Sequence, residues 1–371
     1  MKRNVFLFAT LGAMLVTSCN QKSNTPAATT TGNIKVIHET SFDSVYGNMT
    51  IESFKNLGFE FGDSVDVTFS TGSSFLDIPF YDGYYSEIGK PLVVGYPGYP
   101  YIDVALCNRG ELWQKLNLTE NDTMCITLNK KAKYLTQQET FSMHYSDNRE
   151  DFLSDVVFSN FRTINLSTMN QNVFYRGASP VDNQHKRASC SDNLLKETGI
   201  GYVLDLADSK EEVESYMAKE DFNSPYALSL YQNEKIAYVD LGADFTASIF
   251  QEKLINGLEN MIKHEAPYYI HCTEGKDRTG FVCFFLEALS GASYEELEND
   301  YMITYDNYFG ITKDNNPSKY QAIVDLRFKD FIKFLAPNAT TKTYKNDAIK
   351  YLADGGMSEE DINTLISIVT K

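Results

Sequence analysis

The segment that most restricts the fold runs from Pro267 to Ser290. Pro267-Tyr268-Tyr269-Ile270-His271 is an apolar run of strand length, and Phe281–Ser290 is an apolar helix ending at Gly291, with a glycine-containing turn between them. A helix that is apolar all round has to be buried, and a strand apolar on successive residues has to be covered on both faces. Strand, loop and buried helix in that order predict an α/β layer with a central sheet. Tyr202–Leu206 and Ile236–Val239 are further short strand candidates. Phe250–His264 reads as a helix with Phe250, Leu254, Leu258, Met261 and Ile262 on one face. More helices are expected at Tyr294–Asp300, Lys319–Leu335, Ala348–Ala353 and Glu359–Thr370.

Ahead of about residue 150 the pattern changes. Val65, Val67 and Phe69 alternate with Asp66 and Thr68, the two-residue period of a half-buried strand. Ile34–Ile37, Pro91–Val94 and Met124–Leu128 are other runs of strand length, separated by turns such as Tyr81-Asp82-Gly83 and Asn108-Arg109-Gly110. With one short helix at Glu111–Leu116, residues 34–150 read as an all-β domain, a small barrel or sandwich. Gly62-Asp63-Ser64-Val65 and Asp77-Ile78-Pro79 resemble the small barrel appended to SAM-dependent adenosyl-hydroxide enzymes, a resemblance that bears on fold alone. Tyr81, Tyr84, Tyr85, Tyr96, Tyr99 and Tyr101 crowd this half, and amphipathic packing accounts for them better than a sugar- or peptide-binding face. Residues 151–371 form the α/β domain.

The N-terminus is a separate matter. Lys2 and Arg3 precede an apolar stretch from Val5 to Val16, and Val16-Thr17-Ser18-Cys19 resembles a bacterial lipobox. That implies a signal peptide over residues 1–18, lipidation of Cys19 and a polar tether over residues 19–33. The chain is therefore expected to be an exported bacterial lipoprotein, anchored in the periplasm or at the cell surface. Five cysteines besides Cys19, without CxxC spacing, give neither a zinc pattern nor a disulfide framework. Export permits a bridge, Cys107–Cys125 being the shortest, while buried free thiols explain the set equally well. A formal charge of −17 argues against nucleic acid as a partner and against attachment to anionic lipid through a basic surface. It leaves room for one local phosphate site.

His271-Cys272-Thr273-Glu274-Gly275-Lys276-Asp277-Arg278-Thr279-Gly280 has the chemistry of such a site. Amides of a tight turn at a helix N-terminus form an anion cradle, and the same field favours the Cys272 thiolate. Arg278 offers two phosphoryl oxygens a planar fork, Gly275 lets the backbone turn, and the Thr279 hydroxyl can serve the sulfur as it departs. His271 would orient the loop. Nucleophile and cradle come from the chain itself, so no cofactor or metal ion is called for.

The loop matches the HCx5R signature of the protein tyrosine phosphatase superfamily, and HCxxGKDRTG resembles its bacterial tyrosine/lipid-type phosphatases. The resemblance runs from about Asn160 to the C-terminus. Asn160-Phe161-Arg162 and Val173-Phe174-Tyr175-Arg176-Gly177-Ala178-Ser179 resemble the family's opening motif, with Gly177 where serine is usual. Gly199-Ile200 and Val203-Leu204-Asp205-Leu206 resemble its next strand, with Ala207 in place of arginine. Gly291-Ala292-Ser293 with Asp300-Tyr301, and Tyr351-Leu352 with Gly355-Gly356-Met357-Ser358, resemble two C-terminal segments.

The resemblance implies a phosphomonoester hydrolase with Cys272 as nucleophile, Arg278 as phosphate ligand, and Thr273, Glu274, Gly275, Lys276, Thr279 and Gly280 about the substrate. It also implies an aspartate, on a loop upstream, that protonates the leaving oxygen. Asp244 is the first candidate, Asp277 within the loop the second and Asp240 the third, each of which is otherwise a turn former or helix cap. Arg176 and Arg187 read as surface cations more readily than as site residues. The expected partner is a phosphotyrosine protein, or an inositol phosphate or phosphoinositide for which Lys276 supplies a second cation. The alternative is a surface lipoprotein that binds phosphate or protein without catalysis.

Overall fold

The computed structural model describes residues 29–338 and 344–371. The expected signal peptide and Cys19 lie outside the described residues. The N-terminal half forms a closed barrel, not a sandwich. Its strands are β1 (Thr30–Glu39), β2 (Ser44–Gly47), β3 (Ser64–Phe69), β4 (Ser74–Tyr81), β5 (Pro91–Val94), β6 (Asp103–Leu106) and β7 (Thr123–Lys130), closing in the order β1-β2-β6-β5-β4-β3-β7. Closure removes both sheet edges, which a chain with this many short strands otherwise leaves open. Val65, Val67 and Phe69 point inward with Val36, Val45, Phe54, Phe80 and Ile126, as the alternation requires. The short helix is Leu112–Lys115.

β1 starts at Thr30, inside the stretch expected to be tether. Thr30 pairs with Thr127 and the Thr31 hydroxyl accepts from the Ile126 amide at 2.9 Å, so polar residues here complete the barrel ladder. All five described cysteines are free. Cys107 is buried with its thiol donating to the Ser86 carbonyl at 3.0 Å, and Cys125 sits on β7 beside the Thr30 hydroxyl at 3.3 Å, so no Cys107–Cys125 bridge forms.

The second half is built on a sheet of β8 (Arg162–Thr163), β9 (Phe174–Ala178), β10 (Tyr202–Asp205), β11 (Ile236–Tyr238) and β12 (Tyr268–Cys272), in the order β11-β10-β12-β9-β8. The strands run parallel except β8, which is antiparallel to β9. β12 is central and wholly buried. Successive residues face opposite layers: Tyr268 and Ile270 join the cluster of Leu204, Leu258 and Phe284, while Tyr269 joins Phe161, Leu195 and Val203. A strand apolar on both faces is how a parallel sheet between helices reads in sequence.

The helix after β12 spans Asp277–Ser290, with every residue from Thr279 onward buried and Gly291 at φ +89° ending it. It starts before the expected Phe281, so Asp277 and Arg278 belong to its first turn. The other expected helices are Ser248–Met261, Tyr294–Phe309, Lys345–Asp354 and Glu359–Val369. The expected Lys319–Leu335 is broken into Pro317–Ile323, a π-helical turn Val324–Phe328, and Lys329–Leu335. Among the described residues no helix is long and apolar enough to cross a membrane.

Candidate active site

Cys272 ends β12 at the C-terminal edge of the parallel strands, 3% exposed. Open α/β sheets bind ligands along that edge. The turn that follows is held by its carbonyls. Thr273 O accepts from the Ser179 amide at 3.1 Å, and Glu274 O from the Tyr308 hydroxyl at 2.6 Å. Gly275 O accepts from Asn160 Nδ2 at 3.1 Å and Arg176 Nη2 at 3.3 Å. With the carbonyls turned outward, the main-chain N–H groups from Thr273 through Thr279 find no acceptor among the described residues, Gly280 being the first to pair, with Lys276 O at 2.9 Å. Lys276 gives the helix no side-chain cap. The first amides of any helix lack an intrahelical partner. Here the amides of the preceding turn, Thr273 to Lys276, lack one too, which extends the donor row in the manner of an anion cradle.

Gly275 is at φ +69°, and a β-carbon there would lie 2.3 Å from Gly177 C and O. Any larger residue would push the loop off β9. Gly177 is hemmed in as well, since a β-carbon on it would meet Tyr269 Oη at 2.5 Å. Tyr269 donates to Ala178 O at 2.6 Å and fills the space a serine side chain would need.

Arg278 is turned back over the loop. Its Nη2 donates to Thr273 Oγ1 at 3.3 Å and its Nη1 to Leu241 O at 3.1 Å and Ala207 O at 3.4 Å, and among the described residues no carboxylate forms an ion pair with it. Carbonyl partners fix the fork without neutralising it. The Thr279 hydroxyl is buried with no partner among the described residues. His271 lies beneath, Nδ1 3.3 Å from Cys272 O and Nε2 3.9 Å from Asp205. Burial pushes its imidazole down to about 4, so the neutral ring orients the loop. Burial also raises the carboxyls of Asp205 and Asp208 to about 7.

The structure separates the acid candidates. Asp244 Oδ1 accepts from the Thr246 amide at 2.9 Å, and Oδ2 lies 3.4 Å from Arg109 of the barrel. It lines a groove with Phe42 and Ile249 and is not among the residues lining the cavity that holds Arg278. Asp240, at φ +48°, is paired with Lys253 at 2.7 Å. Asp277 is exposed and lines the same cavity as Arg278. Lys276 lies 2.8 Å from Glu274 and 3.7 Å from Asp277. Burial opposes its charge, but Asp277 and Glu274 outweigh that and hold it well above the usual lysine range. His185 adds a contact to Glu274 at 3.6 Å.

Arg176 and Arg187, expected at the surface, are both 1% exposed. Arg176 Nη1 is 2.8 Å from Asp300, which also takes Arg162 Nε at 3.1 Å. Arg187 pairs with Asp147 at 3.0 Å and lies among Tyr145, Phe158 and Tyr308. Their partners come from distant segments, so the sequence carried no sign of this burial. It also missed that the barrel forms part of the cleft. Tyr84, Tyr85 and Phe141 line a cavity of about 430 Å³ with Lys276, Asp277 and Arg327. Tyr81 alone of these neighbouring tyrosines is buried, at 2% exposed.

A thiol at the head of unpaired amides, with a guanidinium folded over them at the end of a parallel sheet, sets the site of an α/β protein where an anion cradle would lie. The chain belongs to the tyrosine phosphatase family, whose model matches residues 158–371. No curated protein matches it. Among solved structures, the crystal structure of an uncharacterized conserved protein from Thermotoga maritima is 23% identical over 25% of this chain and 35% of that one, with a TM-score of 0.23. The chain thus spans about a third of that protein, and a likeness of this size carries no argument.

Proposed function

We propose that the chain hydrolyses phosphomonoesters through a phosphocysteine intermediate. The Cys272 sulfur attacks phosphorus while the loop amides and Arg278 hold the other phosphoryl oxygens. The ester oxygen leaves with a proton from Asp277. Water then attacks the phosphocysteine, returns a proton to Asp277 and releases phosphate and the thiolate, which the Thr279 hydroxyl is placed to meet. The observation that carries this reading is the row of amides from Thr273 to Thr279 without protein acceptors, directly after Cys272. The pairing of Asp244 with Thr246 and Arg109 favours Asp277 as the acid. The intact pair of Cys272 and Arg278 favours catalysis over a binding module without turnover.

The test is phosphate release from phenyl phosphate, phosphotyrosine peptides and inositol phosphates by the wild type and by Cys272→Ser, with and without chelator. Turnover that survives chelation and disappears in Cys272→Ser supports the reading. Turnover that needs an added metal ion would sink it.

The lipobox-like Cys19 supports a further proposal, that the chain is exported and lipid-anchored. Radiolabelled fatty acid should label the wild type and not Cys19→Ala; equal labelling of both would refute it.

A further inference from the structure

Five of the seven arginines among the described residues have a carboxylate within 4.0 Å: Arg109, Arg149, Arg162, Arg176 and Arg187. Arg278 and Arg327 do not, and both line one cavity of about 430 Å³ together with Asp277. Arg327 stands on the π-helical turn Val324–Phe328, which interrupts an otherwise continuous helix. Such turns re-aim side chains and are frequent at functional sites. Its guanidinium reaches the barrel, where it meets only carbonyls, Ser86 O and Tyr84 O at 3.4 Å each, and lies 4.6 Å from the Phe141 ring. These long contacts hold the fork in place, and among the described residues no carboxylate lies within 4.0 Å of it, Asp277 and Asp330 acting on it from farther off. Of the other carboxylates on this cavity, Asp330 is 3.2 Å from Lys333.

We propose that Arg327 binds a second phosphate of the substrate, beside the one held by Arg278. The substrate is then a compact scaffold with two or more phosphates, such as a phosphorylated polyol ring, free or as a lipid headgroup. This rests on the phosphatase reading of Cys272 and Arg278. Both arginines line one small cavity, so both anions belong to one small group and not to residues spaced along a peptide. Lys276, the cation first expected to do this, is paired with Glu274 at 2.8 Å. A guanidinium also suits phosphate better than an ammonium, through its two parallel donors.

The test compares wild type, Arg327→Gln and Arg327→Lys on phenyl phosphate, a soluble inositol polyphosphate, a short-chain phosphoinositide and an acidic phosphotyrosine peptide. Arg327→Gln should lower kcat/KM on the polyphosphorylated substrates by at least tenfold, mainly through KM, and leave phenyl phosphate within threefold. Arg327→Lys should recover part of the loss. Loss on the soluble compound alone, or on both it and the phosphoinositide, tells free from lipid-borne substrate. Equal loss on all substrates, no loss on any, or loss confined to the peptide overturns the proposal. Wild-type protein gives an arm that does not depend on a folded variant: inositol hexakisphosphate should inhibit phenyl phosphate hydrolysis far more strongly than inorganic phosphate, and equal inhibition overturns the proposal. Calorimetry on Cys272→Ser separates the two readings. If the wild type turns over nothing, catalysis fails, while Arg327-dependent binding of inositol hexakisphosphate still upholds the second phosphate site and its absence rejects it.

Discussion

Gly275 and Gly177 are packed backbone to backbone: a β-carbon on Gly275 would lie 2.3 Å from the Gly177 carbonyl group, and Gly275 is at φ +69°. The turn after Cys272 is thereby pressed against β9, and its outward carbonyls are held by Asn160, Arg176 and Tyr308. Gly275→Ala meets both the strained φ and the collision. It should cost about 3 kcal/mol or more and reduce turnover at least a hundredfold. Thermal melts and kcat/KM on phenyl phosphate check this, and a variant with near wild-type values on both would contradict it.

The brace behind that turn is ionic. Asp300 lies between Arg162 and Arg176, and Arg176 passes the restraint to Gly275 O. Burial pushes the Asp300 carboxyl up, and Arg162 and Arg176 more than reverse this, holding it below the usual carboxylate range. Asp300→Asn removes the carboxylate that both buried guanidiniums pair with, leaving only the more distant buried Glu287 carboxyl among the described residues, and should destabilise the fold by about 3 kcal/mol. Chemical denaturation measures this, and a loss under about 1 kcal/mol would show that the brace is unimportant.

The acid assignment separates two aspartates by leaving group. Asp277→Asn should slow phenyl phosphate by about a hundredfold or more and p-nitrophenyl phosphate far less, because a good leaving group needs little protonation. Asp244→Asn, which loses a contact to Thr246 and Arg109, should treat both substrates alike. The reverse pattern would move the acid to Asp244.

How much of this was legible in the sequence follows from the reach of each interaction. β12, the loop and the Asp277–Ser290 helix are contiguous, so their apolar pattern revealed the layer, and the order of Cys272, Gly275 and Arg278 pointed to the chemistry proposed above. Spacing pointed first to Asp244, but spacing cannot see Arg109, which comes from the barrel and turns that carboxylate away. The burial of Arg176 and Arg187 was hidden likewise, because Asp300 and Asp147 reach them only through the fold. The sequence left barrel and sandwich open, because the pairing of β1 with β7 that closes the barrel is a long-range contact, and its outer part runs through threonines at 30 and 127 that no hydrophobic alternation marks. Arg327 was invisible for another reason: its direction is set by the π-helical turn Val324–Phe328, and a sequence read as one continuous helix gives no sign of that turn.

Asp208 gives a pH signature. Burial and the neighbouring Asp205 raise its carboxyl to about 7, and one oxygen has no partner among the described residues. The folded state therefore holds a proton that the unfolded chain releases near pH 4. This contribution to stability is full below about pH 4 and is lost as pH rises through about 7. Asp208→Asn should leave stability near wild type at pH 4 and raise it by about 1–2 kcal/mol at pH 8. Melts across that range check the sign, and a variant that loses stability on going from pH 4 to pH 8 relative to wild type would contradict it.

The central claim is that the bond to phosphorus forms at the Cys272 sulfur. Wild-type protein denatured rapidly at alkaline pH during turnover, digested and analysed by mass spectrometry without acid steps should carry phosphate on the peptide containing Cys272. The label should be absent from Cys272→Ser and should build up in Asp277→Asn if water attack also needs that carboxylate. Full turnover in Cys272→Ser, or phosphate on any other residue, would contradict the account.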